Sequence, residues 1–266
     1  ADFIARMAAW RPTRRTLWRA LAVLAPAALL AAALPAGTLA WQRHTLEQAA
    51  YAAPPAGMVL VPAGWAVVGT DDPNAPHDER PARRVWLPAF YMDTHEVTNA
   101  AYAAFDPSHS YAPERADWPV VKVTRAQAAA YAAAQGKRLP TRAEWEKAAR
   151  GPGGRMFPWG DTFEAGRANL GGGEGLRPVG SHPEGVSVYG VHDLAGNAWE
   201  WVADTYDDAH ELGWGQASMN RGIIKGGAYA YSPHQGRATF NGFEHPVTTC
   251  SDLGFRCVQD AVPHAG

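Results

Sequence analysis

Apolar residues are spaced in three ways along this chain, and each spacing predicts a different element. Over residues 20–42 they run together with no charged side chain among them. That run is rich in alanine and leucine and is long enough to cross a hydrocarbon core of ~30 Å as a helix. Over residues 58–70 they alternate around Pro62-Ala63-Gly64, which predicts two short strands forming a hairpin. A polar loop over 71–81 precedes a further strand predicted over 85–91. Helical signals follow. Thr98 is placed to cap a short helix, and Thr124 to cap one over 125–135 with Gly136 as its stop. Thr141 and Glu144 form a T-x-x-E capping box for a helix that ends before Gly151 and turns Trp145 inward. Residues 157–161, Phe-Pro-Trp-Gly-Asp, read as a turn around a buried aromatic.

Arg6, Arg11, Arg14, Arg15 and Arg19 flank the uncharged run on one side only. The positive-inside rule then puts the N-terminus in the cytoplasm and everything after Trp41 outside it. Pro26 and Pro35 would kink the helix, which membrane spans tolerate. Two rival readings are a cleaved signal peptide, with small residues at 37–40 near a cut, and an alanine-rich helix buried in a soluble domain. The uncleaved anchor is adopted because the run exceeds a usual signal core. The expected division is a basic cytoplasmic N-terminus over 1–19, a transmembrane helix in the lipid bilayer over 20–42, a proline-stiffened linker over 43–57 and one domain over 58–261. Such a chain is a single-pass membrane protein whose main domain is periplasmic or otherwise extracytoplasmic.

Composition narrows the domain's character. The 27 Gly, 21 Pro and 11 Trp point to an irregular, loop-rich fold with a core of aromatic plates. The formal net charge of −2 offers no basic surplus for nucleic acid. Only two cysteines occur, Cys250 and Cys257, and no zinc or CxxC spacing is present.

Several blocks carry a resemblance. They are Met-Val-Leu-Val-Pro-Ala-Gly (58–64), Asp-Glu-Arg-Pro (78–81), Glu-Val-Thr-Asn (96–99), Lys-Arg-Leu-Pro-Thr (137–141), Asp-Leu-Ala-Gly-Asn-Ala-Trp-Glu-Trp (193–201), Lys-Gly-Gly-Ala-Tyr (225–229) and Leu-Gly-Phe-Arg-Cys (253–257). In this order they resemble the formylglycine-generating enzyme, or sulfatase-modifying factor, family. The resemblance implies that family's irregular C-type-lectin-like α+β fold. It also implies calcium sites of structural kind. Asp193 and Glu200 would give side-chain oxygens and Gly196 and Ala198 backbone oxygens, since calcium takes six to eight hard oxygens. A second site would use Asn169, Leu170, Glu174 and Leu176.

The family's oxidases hold copper(I) on two cysteines, and soft thiolates suit that ion. Counting from Gly226-Gly227, those positions fall on Tyr231 and Gly236, and no cysteine occurs anywhere before Cys250. No copper is therefore expected. Cys250 and Cys257 are expected to form a disulfide in an oxidising compartment, provided that a turn at Ser251-Asp252 brings their Cα atoms within ~7 Å; the alternative is two isolated buried thiols. His77, His95, His192, His234 and His245 show no metal-ligand spacing. The similarity extends to ergothioneine sulfoxide synthases, but their added histidine-bearing helical domain has no counterpart here. The reading is a non-catalytic, membrane-anchored binding or assembly subunit of a larger membrane protein complex. Its contact groove is placed at Tyr229, Tyr231, His234, Arg237 and Phe240. The alternatives are a divergent metal-dependent oxidoreductase and a periplasmic maturation factor of the same family.

Overall fold

The structure, a computed structural model, describes residues 51–173, 175–206 and 221–263. The expected anchor over 20–42, its basic flank over 1–19, residues 43–50 of the linker, and Glu174 lie outside them. Among the described residues no helix is long and apolar enough to cross a membrane. The rest of the expected linker is docked on the domain. Tyr51 bridges Pro263, and the Tyr91 hydroxyl donates to the Ala52 carbonyl at 2.6 Å.

Among the described residues, three small sheets and three α-helices share the work. Strands β1 (Met58–Val61), β4 (Phe90–Asp93) and β9 (Val258–Asp260) form an antiparallel sheet in the order β1-β4-β9, with Met58 opposite Asp93 and Met92 opposite Val258. This sheet ties the two ends of the domain together. Strands β2 (Gly64–Val68) and β3 (Arg83–Leu87) pair as an antiparallel ribbon. The third sheet has the order β7 (Gly242–Glu244), β6 (Arg221–Lys225), β5 (Trp199–Tyr206), β8 (Leu253–Gly254), with β8 parallel to β5.

Two strand expectations need correction. Residues 58–61 and 64–68 are strands, but they join different sheets and form no hairpin with each other. Pro62 cannot donate to a ladder, and the Lys147 ammonium takes the carbonyls of Pro62 and Gly64 at 2.5 and 3.2 Å. The turn is thus held from a helix and not by cross-strand bonds. The single strand expected over 85–91 is two strands, broken at Pro88 where the chain passes from the ribbon to the first sheet.

Helices α1 (Asn99–Phe105), α2 (Arg125–Ala134) and α3 (Arg142–Arg150) begin at the expected caps. Thr98 accepts from the Ala101 N–H, while Thr124–Gln127 and Thr141–Glu144 are complete capping boxes. Between α1, α2 and the third sheet lies one core cluster. There Tyr102 stacks on Tyr131 at 5.6 Å and Phe255 meets both edge-on. A second cluster lies beneath α3 and contains Phe90, Met92, Leu194, Val202, Ile223 and a fully buried Trp145. Side chains of Trp145's size cost about 3–5 kcal/mol to truncate from such a site. Phe157 is buried at a mutual 157–160 bridge, as the aromatic turn requires.

Candidate functional site

The loop over 193–198 feeds directly into β5 and sets out the centre of the molecule. Asn197 has φ 62° and is buried. Its amide nitrogen donates to Glu96 Oε1 at 2.9 Å, and its amide oxygen accepts from Asn169 and from the Arg177 N–H. Next in the strand, Glu200 is fully buried against Arg256. Both of its oxygens are 2.7 Å from guanidinium nitrogens, and Oε2 also accepts from the Trp145 indole at 2.8 Å. Removing one partner of a buried pair of this kind costs about 3–5 kcal/mol.

This arrangement corrects the calcium expectation. Glu200 spends its lone pairs on Arg256 and Trp145, so it neither points at nor charges a cation site. Asp193 accepts from the Gly180 N–H at 2.6 Å. The Asn169 amide is turned to the Gly175 carbonyl and to Asn197. Leu170 packs its side chain against Gly196 and Gly236, and Leu176 lines a separate cavity. Among the described residues no group of three or more His, Cys, Asp or Glu side chains is placed to hold a metal ion. The motif's acidic residues serve a hydrogen-bonded brace.

Charge in this brace is unevenly matched. Burial, then Asp193, pushes the Glu96 carboxyl well above the usual range, and its Oε2 has no hydrogen-bond partner. His95 stacks on His192 at 4.7 Å. Burial, His192 and Arg256 lower the His95 pKa.

The expected groove divides. Tyr231 stands 37% exposed and meets Trp199 edge-on at 5.3 Å. Trp199 continues to Phe240 at 6.0 Å, and Phe240 to His234 at 5.4 Å. Tyr231, His234 and the partly exposed Phe240 thus form an aromatic surface over the buried Trp199. Arg237 is not on it: its guanidinium is buried in an ion pair with Glu79 at 2.9 Å. Tyr229 instead lines a cavity of about 420 Å³ together with Tyr111, Arg115, Trp118, Lys122 and Leu176. The sequence motifs include Trp199 without pointing to a role for it, and none of them points to Lys122. Only its backbone geometry, φ 61° in a non-glycine residue, marks it.

At Gly236 a β-carbon would stand 2.3 Å from Leu170 Cδ1. Leu170 therefore fills the space that a side chain at this position would need. The disulfide expectation is also corrected, since Cys250 and Cys257 are both free. A turn does follow Cys250, but from Leu253 the chain runs through β8 towards Cys257. The two cysteines lie against different parts of the fold: the Cys250 carbonyl accepts from Lys122 and the Cys257 carbonyl from Asp93. Cys257 is buried, and burial, then Asp93, holds its thiol well above the ordinary pKa.

Residues 42–261 match the sulfatase-modifying factor enzyme 1-like domain family. The chain belongs to this family. It is 32% identical to the formylglycine-generating enzyme of Bos taurus, over 80% of this chain and 77% of that protein. It is 30% identical to inactive C-alpha-formylglycine-generating enzyme 2 of Mus musculus, over 77% of this chain and 86% of that one. Among solved structures, PvdO from Pseudomonas aeruginosa superposes with a TM-score of 0.64 and 27% identity, over 76% of this chain and 94% of that chain. Within the sulfatase-modifying factor fold, then, the brace around Asn197 and Glu200 is scaffold. The surfaces at Tyr231 and Tyr229 are what it presents.

Proposed function

We propose that this family member is a non-catalytic binding or assembly subunit, anchored at a membrane and facing the extracytoplasmic side. The observation that carries the reading is the pair Tyr231 and Gly236. A phenol and a glycine occupy the positions counted from Gly226-Gly227, and Leu170 fills the space beside the second. Neither residue supplies the soft ligand that copper(I) chemistry requires. Similarity to a mouse relative named as inactive supports the same reading. Tyr231 and His234 supply hydrogen-bonding tips and Phe240 adds apolar area, all backed by the buried Trp199, a combination suited to a contact surface.

Two measurements test this. Purified protein supplied with copper(I) and a cysteine-containing peptide is expected to consume no oxygen above buffer, and measurable turnover overturns the non-catalytic reading. Detergent-solubilised native membranes are expected to yield the chain with a stoichiometric partner, lost when Tyr231 is replaced by Ala. Recovery as a lone monomer in both cases counts against the subunit role.

A further inference from the structure

We infer that the cavity beside Tyr229 is a binding site for an acidic peptide segment; this rests on the binding-subunit reading and specifies its ligand. The volume of about 420 Å³ suits the side chains of a short segment. Its walls are aromatic at Tyr111, Trp118 and Tyr229, and its charged lining residues, Arg115 and Lys122, are both cationic. Of the described residues that line it, none is Asp or Glu. The Arg115 guanidinium lies over the Trp118 ring at 4.7 Å, which fixes a flexible side chain in advance of any ligand. His109, which also lines the cavity, is held by Asn99 at 2.9 Å.

Lys122 is the decisive residue. Among the described residues, three that are not glycine have positive φ: Asp193, Asn197 and Lys122. Asp and Asn accommodate that backbone through short polar side chains, and lysine does not. Its N–H is tied to the Cys250 carbonyl at 2.9 Å, which holds the strained turn in place. Glycine would suit this backbone better, yet the chain carries an exposed lysine here, at a cavity whose described lining residues include no carboxylate. Strain at such a position points to a role for the side chain.

The test uses the protein and three fluorescein-labelled octapeptides, matched around one tyrosine: one bearing Glu and Asp, one Gln and Asn, one Lys. Anisotropy is expected to show binding of the acidic peptide, weaker with added salt, and at least about tenfold weaker binding of the neutral one, the loss of a charge-assisted contact. Lys122→Gly relieves the backbone, so its melting temperature is expected to be equal or higher while acidic-peptide affinity falls about tenfold. Lys122→Arg is expected to bind like the native chain. Equal binding of neutral and acidic peptides, binding of none, or an unchanged Lys122→Gly variant would each overturn the assignment. The oxygen-consumption measurement is separate: turnover there would remove the non-catalytic reading and leave a charge preference in this cavity untouched.

Discussion

Leu170 and Gly236 show how one contact bears on function. The leucine's Cδ1 lies where a side chain at 236 would begin, so restoring a thiol pair requires two changes and meets a third residue. The double variant Tyr231→Cys/Gly236→Cys is expected to lose about 1–3 kcal/mol through overpacking. Adding Leu170→Ala should recover part of that loss by opening the space. Denaturant unfolding of the three variants checks the order. If the double variant is as stable as the native chain, Leu170 does not close the position. The same residue supports Gly196, where a β-carbon would stand 2.7 Å from Leu170 Cγ. The position expected to ligate a metal thus acts as a plug between two glycine turns.

At the scale of elements, capping chemistry was legible because it is local. Thr124 and Thr141 lie three residues before Gln127 and Glu144, and both boxes form where that spacing places them. The two boxes differ in what else they hold. Glu144 also receives both arms of Arg138 at 2.7 Å, and Arg138 reaches Asp260 on β9. Gln127 has no such partner among its hydrogen bonds. Thr141→Ala is expected to cost about 1–2 kcal/mol, and Thr124→Ala about 1 or less, as read by thermal unfolding. Equal losses would mean that the Arg138 link adds nothing to the cap. Strand pairing was not legible for a physical reason. Alternation identified residues 58–61 and 64–68 as strands, but their partners are set by contacts distant in sequence, such as Lys147 on the turn and Phe90 opposite Val61. The same limit applies to the site. The motif at 193–200 announced its acidic residues, and what Glu200 binds is decided by Arg256, more than fifty residues further on. Cys250 and Cys257 are close in sequence, yet the fold sets one against Lys122 and the other against Asp93, and both are free.

Across the whole molecule, buried charge joins what the small sheets do not. Glu146 on α3 takes the Gly69 N–H after β2, Arg150 on its own helix and the Lys225 ammonium at the end of β6. Lys225 is fully buried, 3.3 Å from Glu146 and 3.1 Å from the Asn241 side chain, with the Trp145 ring beneath it at 5.6 Å. Burial outweighs the attraction of Glu146 and pushes the Lys225 pKa down to about 8. The unfolded value is about 10.4. Between these two pH values the unfolded chain holds a proton that the folded chain has released, so stability rises with pH across that window. The burial penalty is fully present below pH 8 and is relieved above it, by about 3 kcal/mol in total at 1.36 kcal/mol per pH unit. Cys257 acts in the opposite sense, since its raised pKa makes folding less favourable as pH climbs above the unfolded thiol's range. The informative quantity is therefore a difference. Lys225→Met leaves Glu146 paired with Arg142 and Arg150 and removes only the lysine titration. Native minus variant stability, measured by urea unfolding from pH 7 to pH 10, is expected to rise with pH. A flat difference would mean that Lys225 titrates in the folded chain as it does in water, and that the charge at this junction is hydrated.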